Sequence, residues 1–477
     1  MIKIQDNIIL STDAYKQTHW LQYPKGTEYV YSYFESRGGE FSHTAFFGLQ
    51  ILLKKYLEGV VVNQGMIEEA EYFCNKLFFG QKYFNREGWE YIIKEYGGKL
   101  PVRIKAVPEG TVVPVSNILM SIENTDPKVP FITNLLETLL VQVWYPTTVC
   151  TTSYFTKLLI DKYAKITGTS VNPFHLNDFG FRGASSKESA GIGGAAHLVN
   201  FNGTDTLEGI RYAMQYYNSY VCGYSVMAAE HSTITAFCKE NETESYRHIL
   251  EVAPDNAIVS IVSDSYDIYN TVDNIFGKEL KDKIRARKGK WVVRPDSGDP
   301  AEVIVKVLRS LRQNFGATTN SDGFFTLSPK VGVIYGDGIN YGNGSIERIL
   351  KAVVEAKFSL DNVIFGMGGG LLQDLNRDTC KFAFKCAEIT VDGEVRDVYK
   401  KPVTSKMKIS KKGRQKLTRD RWGVFRTMHD DPSIRHFPDH LKTVFYNGEI
   451  LKEYTFDEVK ENIAKFPIMV DKLSEDR

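Results

Sequence analysis

The period of apolar and polar positions changes along this chain. From about His175, short apolar runs repeatedly end in a turn that carries a carboxylate, a glycine or an arginine. Four are clear: Ala257–Asp267 (AIVSIVSDSYD), Trp291–Pro300 (WVVRPDSGDP), Lys330–Gly338 (KVGVIYGDG) and Asn362–Leu371 (NVIFGMGGGL). Helix-period segments separate them, among them Ala301–Arg312 and Ser345–Lys357. Short apolar runs bounded by turn residues read as buried strands, and strands alternating with helices predict an α/β fold with a parallel sheet. In such sheets and in barrels, ligands gather beyond the carboxyl ends of the strands. Asp264, Arg294, Asp296, Asp337 and Gly368–Gly370 fall there.

The preceding part of the chain is mixed. Glu28–Glu35 (EYVYSYFE) alternates at strand period, Ile67–Leu77 has helical spacing, and Val102–Val115 reads as two short strands around a Pro-Glu-Gly turn. A helical region starts at Phe131 and runs to about Ile166, with a kink or break expected at Pro146. The last ninety or so residues return to a mixed pattern and hold a cation-rich segment, Lys400–Arg421, which includes Lys406, Lys408 and Lys411.

Composition narrows the function classes. The 477 residues are 43% apolar and carry 59 basic against 58 acidic side chains, a net charge of +1. A general nucleic-acid or membrane-surface binder shows a larger basic excess, so neither partner is expected. Six scattered cysteines form no CxxC pair, which argues against a zinc knuckle and fits reduced thiols in a cytoplasmic protein. The N-terminus lacks a long apolar h-region, no run approaches membrane-spanning length, and the terminal KLSEDR carries no lipidation signal.

Several short segments carry candidate chemistry. Gly366 and Gly368–Gly370 follow an apolar run and precede a helix-forming stretch with Arg377 inside it. Glycines there allow a phosphate close to backbone amides; the plainer reading is a tight turn needing positive φ. Gly336-Asp337-Gly338 makes a second such turn, and neither matches a Walker A loop. Arg294 and Asp296, two apart at a strand end, suit a phosphate and a ribose hydroxyl or magnesium-bound water, or else form a structural ion pair. Asp178-Phe179-Gly180-Phe181-Arg182-Gly183 places aromatics beside a guanidinium, which suits a flat ring next to a phosphate. Asp205 is a further loop carboxylate. Gly191-Ile192-Gly193-Gly194 lacks a leading strand and reads as a close-packing helix face rather than a dinucleotide fingerprint. His231 stands without an HExxH, GxSxG or Cys/His nucleophile pattern.

Taken together, STDAYK (Ser11–Lys16), YSYFESR (Tyr31–Arg37), FGFRG (Phe179–Gly183), SSKESAGIGGAAHLVNF (Ser185–Phe201), GTDT (Gly203–Thr206), Gly223–Thr235, VSDSYDIYN (Val262–Asn270), RPDSG (Arg294–Gly298), GDG (Gly336–Gly338) and GGGLLQDLNR (Gly368–Arg377) resemble the nicotinamide phosphoribosyltransferase family. The match is colinear over nearly the whole chain. The family's usual proline before Ala-Ala-Glu-His is Met227 here.

The resemblance implies an irregular, decorated (β/α) barrel-like core over 151–384. A mixed α+β region over 1–150 would pack with a C-terminal segment, 385–477. It implies a pentosyltransferase that moves phosphoribosyl from 5-phosphoribosyl 1-pyrophosphate to nicotinamide in NAD salvage, with Mg2+ and with ATP as co-substrate phosphorylating His231. It also implies a homodimer with shared active sites. Phe179 and the partner subunit's Tyr15 would sandwich the pyridine ring. Arg182 and Arg294 would contact phosphates, and Asp205 would accept from the carboxamide. Asp296 would bind the ribose, and Asp264 would orient His231 or help hold magnesium. Gly336, Asp337, Gly368, Gly369 and Arg377 would line the 5′-phosphate and ribose side, and Asp13, Ser225 and Ser260 would join in substrate binding. The partner subunit's Arg37 and Lys400 would meet polyphosphate. Two other readings stay open at this point: a nicotinate phosphoribosyltransferase, and a non-catalytic binding protein on the same fold.

Overall fold

The computed structural model describes residues 6–404, 408–434 and 436–466, so Lys406 and the terminal KLSEDR lie outside the described residues. The chain divides into two compact units. Among the described residues the first comprises those up to Thr151, with Met214–Ser219 and Asn376–Phe466; the second comprises Thr152–Ala213 and Tyr220–Leu375. No helix among the described residues is long and apolar enough to cross a membrane.

The first unit is built on a seven-stranded antiparallel sheet. Its order is Glu394–Asp397, Phe382–Val391, Thr27–Ser36, Ile118–Asn124, Val102–Ala106, Lys442–Tyr446 and Glu449–Ile450. Thr27–Ser36 is an interior strand, and its residues from Val30 on are buried on both faces. Phe34 stacks on Phe382 of the neighbouring strand with centroids 5.0 Å apart. The expected boundary at 384 falls inside Phe382–Val391. That strand pairs along its length with Thr27–Ser36, so the return to the first unit starts earlier, at Asn376.

The two strands around Pro-Glu-Gly exist but do not pair with each other. Val102–Ala106 joins the large sheet, while Val112–Pro114 pairs with His43–Ala45. The turn is diverted by Glu109, a buried carboxylate that accepts from the backbone of Gly48 at 2.9 Å and Gln50 at 2.6 Å and from the Tyr217 hydroxyl at 2.5 Å. It satisfies the free amides at the start of the helix Leu49–Leu52, an obligation that a hairpin turn does not carry. The helical region from Phe131 breaks at Leu136 and again at a 3₁₀ turn, Val141–Val143. Pro146 lies in the first turn of the long helix Trp144–Ile166, where its missing amide costs nothing, so it does not kink that helix.

The second unit is a parallel sheet of seven strands: Leu176–Asp178, Gly203–Thr204, Met227–Ala228, Val259–Val262, Trp291–Arg294, Val331–Tyr335 and Val363–Met367. Every pairing is parallel. An isolated parallel bridge between Gly203 and Tyr224 links the two edges, with Thr204 N donating to Tyr224 O at 3.0 Å. The strands therefore follow one another around an irregular barrel in chain order, each step crossing through helical segments, as parallel neighbours require. The four long apolar runs form four of these strands. The other three are only two or three residues long and give no apolar run to read.

Helix Pro300–Phe315 starts as its sequence prescribes. Asp299 caps it by accepting from Glu302 N at 3.1 Å, and Pro300 occupies the first turn. The glycines of Lys187–Leu198 do serve close packing. A Cβ on Gly194 would stand 2.9 Å from Gly209 Cα, and one on Gly191 would enter the Tyr212 ring.

Candidate active site

The carboxyl ends of the barrel strands surround an open cleft of about 490 Å³. Phe179, Arg182, Arg294, Asp296, Gly336, Asp337, Gly368 and Gly369 line it, eight of the residues singled out from the sequence. The strand Leu176–Asp178 delivers Phe179, whose amide continues the ladder by donating to Met367 O at 3.0 Å. The 3₁₀ turn Phe181–Gly183 then lifts Arg182 to the rim.

Arg294 is the last residue of its strand and is 16% exposed. Its Nε is buried without a hydrogen-bond partner, and Asp296 Oδ1 lies 3.9 Å away, too far to satisfy it. The structural ion pair is therefore a loose one. A buried guanidinium N–H left unpaired is costly, while the side chain as a whole lines the cleft and sets its positive charge there.

His231 and Asp264 sit beside this cleft through Asp296. His231 Nε2 is 3.1 Å from Asp264 Oδ1, and its Nδ1 is 4.0 Å from Asp296 Oδ2. Asp264 is 4% exposed and commits both oxygens to the protein. Oδ1 faces the imidazole, and Oδ2 accepts from Asp296 N at 2.9 Å and from Ser297 Oγ at 2.5 Å. This carboxylate orients the histidine and the Asp296 loop. Burial pushes the Tyr335 hydroxyl up to about 12, reinforced by Asp337, Asp296, Asp264 and Asp299, a measure of the acid density at this end of the barrel.

Asp205, at the end of the short strand Gly203–Thr204, accepts a hydrogen bond from Ser225 Oγ on Oδ1, and Oδ2 remains as a second acceptor. Its amide donates to Asp178 O at 2.9 Å. Asp178 is fully buried beneath, accepts from Gly180 N at 2.7 Å, and is pushed up to about 6 by desolvation. Ser260 is a buried strand position, paired with Ala228, and is not among the lining residues.

The glycine turn differs from its plainer reading. None of Gly366, Gly368, Gly369 and Gly370 lies in the left-handed region, whereas Gly338 does, with φ of +65°. Gly370 is needed because a Cβ would stand 2.4 Å from Ile339 O; Gly368 and Gly369 have only ordinary contacts and leave their backbone open to the cleft. The helix after them is just Gly369–Leu372. Arg377 is not inside it, as expected from the sequence, but lies beyond it in the first unit. The helix is capped at Gln373, whose φ of −134° leaves the helical region, and beyond it Asn376 accepts from Asp378 N at 2.8 Å in an Asx turn that competes with helix.

In the first unit, Asp13 accepts from Thr138 Oγ1 at 2.7 Å and precedes a 3₁₀ helix that carries Tyr15, 58% exposed. Arg37 Nε donates to the buried Glu35 at 2.8 Å, and Lys411 also pairs with Glu35. Lys400 is exposed, and its amide donates to Ser410 Oγ at 3.0 Å. The sequence reading missed Lys385. Burial pushes its ammonium down; Glu137 opposes this, and Arg37, Lys400 and Arg377 add to it. Arg37, Lys400 and Arg377 thus each lie near enough to Lys385 for their charges to act on it. The available signal was a single lysine in the apolar run Phe382–Val391. Asp374 and Asn340, which line the cleft, were missed as well.

Among the described residues no group of three or more His, Cys, Asp or Glu side chains could hold a metal by itself. Asp296 and Asp337 in the cleft suit a Mg2+ that takes one or two carboxylates and fills its remaining positions with phosphate and water oxygens.

Known proteins share sequence and fold with this chain. Residues 174–449 match the nicotinate phosphoribosyltransferase family, and residues 7–104 match the nicotinamide phosphoribosyltransferase N-terminal domain. A nicotinamide phosphoribosyltransferase of Xanthomonas campestris pv. campestris is 47% identical over 95% of this chain and 97% of its own. One from Acinetobacter baylyi is 33% identical over 96% and 97%. Among solved structures, nicotinate-nucleotide pyrophosphorylase from Pyrococcus furiosus aligns with a TM-score of 0.61 at 17% identity, covering 97% of each chain. The human nicotinic acid phosphoribosyltransferase aligns with a TM-score of 0.54 at 14% identity, covering 95% and 93%. The last two share the fold; the bacterial relatives, matched end to end, go further, and the chain belongs to the nicotinate phosphoribosyltransferase family, among its nicotinamide phosphoribosyltransferases.

Proposed function

We propose that this enzyme transfers the phosphoribosyl group of 5-phosphoribosyl 1-pyrophosphate to nicotinamide, giving nicotinamide mononucleotide and pyrophosphate in NAD salvage. The observation that carries the reading is an aromatic shelf, Phe179, in the same cleft as Arg182 and the loosely paired Arg294 guanidinium. The pyridine nitrogen forms the new bond to C1 as the C1–O bond to pyrophosphate breaks and its electron pair leaves with the diphosphate. The nitrogen carries no proton, so no general base is needed. Arg294 and Arg182 stabilise the growing negative charge on the leaving group, and stacking on Phe179 aligns the base with C1. Mg2+ would add charge neutralisation on the diphosphate. Asp296 binds the ribose hydroxyls, and Asp205 accepts from the carboxamide.

ATP use and the dimer belong to the same proposal. Asp264 on Nε2 favours the tautomer with its proton there and leaves Nδ1 of His231 with a lone pair. That nitrogen takes the γ-phosphoryl of ATP and ADP leaves. In a homodimer, the exposed Tyr15 and the cations Arg37, Arg377, Lys385 and Lys400 would serve the cleft of the partner subunit, one ring covering the base and four cations meeting polyphosphate. His231→Ala is expected to abolish stimulation by ATP while basal transfer persists, and Asp264→Asn to reduce phosphohistidine formation by about tenfold or more. Undiminished ATP stimulation of the alanine variant, measured by nucleotide formation with and without ATP, would assign the phosphoryl group to another residue.

The direct test is product formation from nicotinamide and from nicotinate, each with 5-phosphoribosyl 1-pyrophosphate and magnesium, with and without ATP. Preference for nicotinate would replace the substrate assignment, and no product with either would leave a binding protein.

A further inference from the structure

Gly366 occupies the fourth position of the strand Val363–Met367 and is not in the left-handed region, so its backbone does not call for glycine. Glycine in a strand interior weakens the strand, and its presence needs another cause. A Cβ placed there would stand 2.0 Å from Phe179 Cε2, 2.2 Å from Cδ2 and 2.9 Å from Cζ; its three nearest neighbours all belong to that one ring. On the adjacent strand end, a Cβ on Gly336 would meet the same ring edge at 3.0 Å. Gly332, earlier on that adjacent strand, makes a control within the molecule. A Cβ there would meet nothing closer than 3.5 Å, so the close approach is specific to the ring and not a general feature of these strands.

We propose that Gly366, with Gly336 beside it, is a positioning residue that fixes the level of the Phe179 ring and so the height of the shelf on which the pyridine base lies. The ring rests directly on two bare backbones. Carbon atoms in contact settle about 3.5–4.0 Å apart, so a methyl group at 366 forces the ring up by more than an ångström into the space that the base fills. The inference rests on the reading of Phe179 as the face for that base, and it extends the site to a residue that touches no substrate.

The test is a double-substitution cycle read in the Michaelis constants of both substrates. Gly366→Ala is expected to raise KM for nicotinamide about tenfold, with KM for 5-phosphoribosyl 1-pyrophosphate changed less than about twofold. In a Phe179→Ala background the same glycine change should add less than about twofold, because the clash has gone. Gly336→Ala, with its softer contact, should give a smaller rise that also vanishes in the Phe179→Ala background. It decides the matter if Gly366→Ala does not fold. Independent, multiplying effects of glycine and Phe179 substitutions, or equal rises in both Michaelis constants, would overturn the proposal. An unchanged nicotinamide KM in Phe179→Ala alone would instead remove the reading of Phe179, and the inference with it.

Discussion

Arg294→Ala is expected to lower kcat/KM by about 10²–10³-fold while leaving the folded protein as stable as before or slightly more so. The activity side follows from the loss of a preorganised donor aimed at developing negative charge, the largest single contribution in most transfers of this kind. The stability side follows from the same observation. Arg294 Nε is buried with no hydrogen-bond partner, and its ion pair with Asp296 is long at 3.9 Å, so the fold gains little from this charge and bears its desolvation cost. Sites of this kind trade stability for function. Arg294→Lys keeps the charge but loses the planar fork and should recover only a small part of the rate. Steady-state kinetics in both substrates and a thermal melt check the pair. A variant that melts many degrees lower would mean that Arg294 is a structural ion-pair residue after all.

Asp205→Asn is expected to collapse the preference for nicotinamide over nicotinate by roughly 10²-fold, through better use of nicotinate more than through poorer use of nicotinamide. Like charges brought together in a binding site cost several kcal/mol, about what such a ratio requires. The asparagine keeps the size of the side chain and its backbone tie to Asp178, and Ser225 can bond its carbonyl oxygen as it bonds Oδ1 now. The wild-type protein should also show a pH signature. Desolvation pushes Asp178, next to Asp205, up to about 6. Below that value Asp178 is neutral, and above it the site holds a buried negative charge beneath the exposed Asp205. Discrimination against nicotinate should therefore rise as pH increases through about 6 and flatten in Asp178→Asn. Competition assays with both bases across that range measure it, and a flat ratio in wild type would exclude Asp178 from the selectivity.

Much of the catalytic end of the barrel was legible in the chain. The runs ending at Asp264, Arg294, Asp337 and Gly368 are long enough to declare themselves as buried strands, and a parallel sheet leaves only one end for chemistry. The strands Leu176–Asp178, Gly203–Thr204 and Met227–Ala228 were not legible, because two or three residues show no period. Pairing with neighbouring strands defines them, not their own propensity. Arg377 was misplaced for a related reason. LLQDLNR has helical composition, but the helix already ends at Leu372, and the Asx turn of Asn376 on the Asp378 amide keeps the segment around Arg377 out of a helix.

The sequence alone determined which residue types stand at the strand ends, because buried apolar runs must stop where polar side chains begin, and this periodicity is local. Only the tertiary structure decided what those residues do to one another. That Asp264 spends both oxygens on the protein, that Arg294 Nε finds no partner, that Lys385 feels the charges of Arg37 and Lys400, and that a ring lies against Gly366 all depend on segments distant in the sequence. Such contacts depend on distances in space, and a one-dimensional pattern carries no record of them.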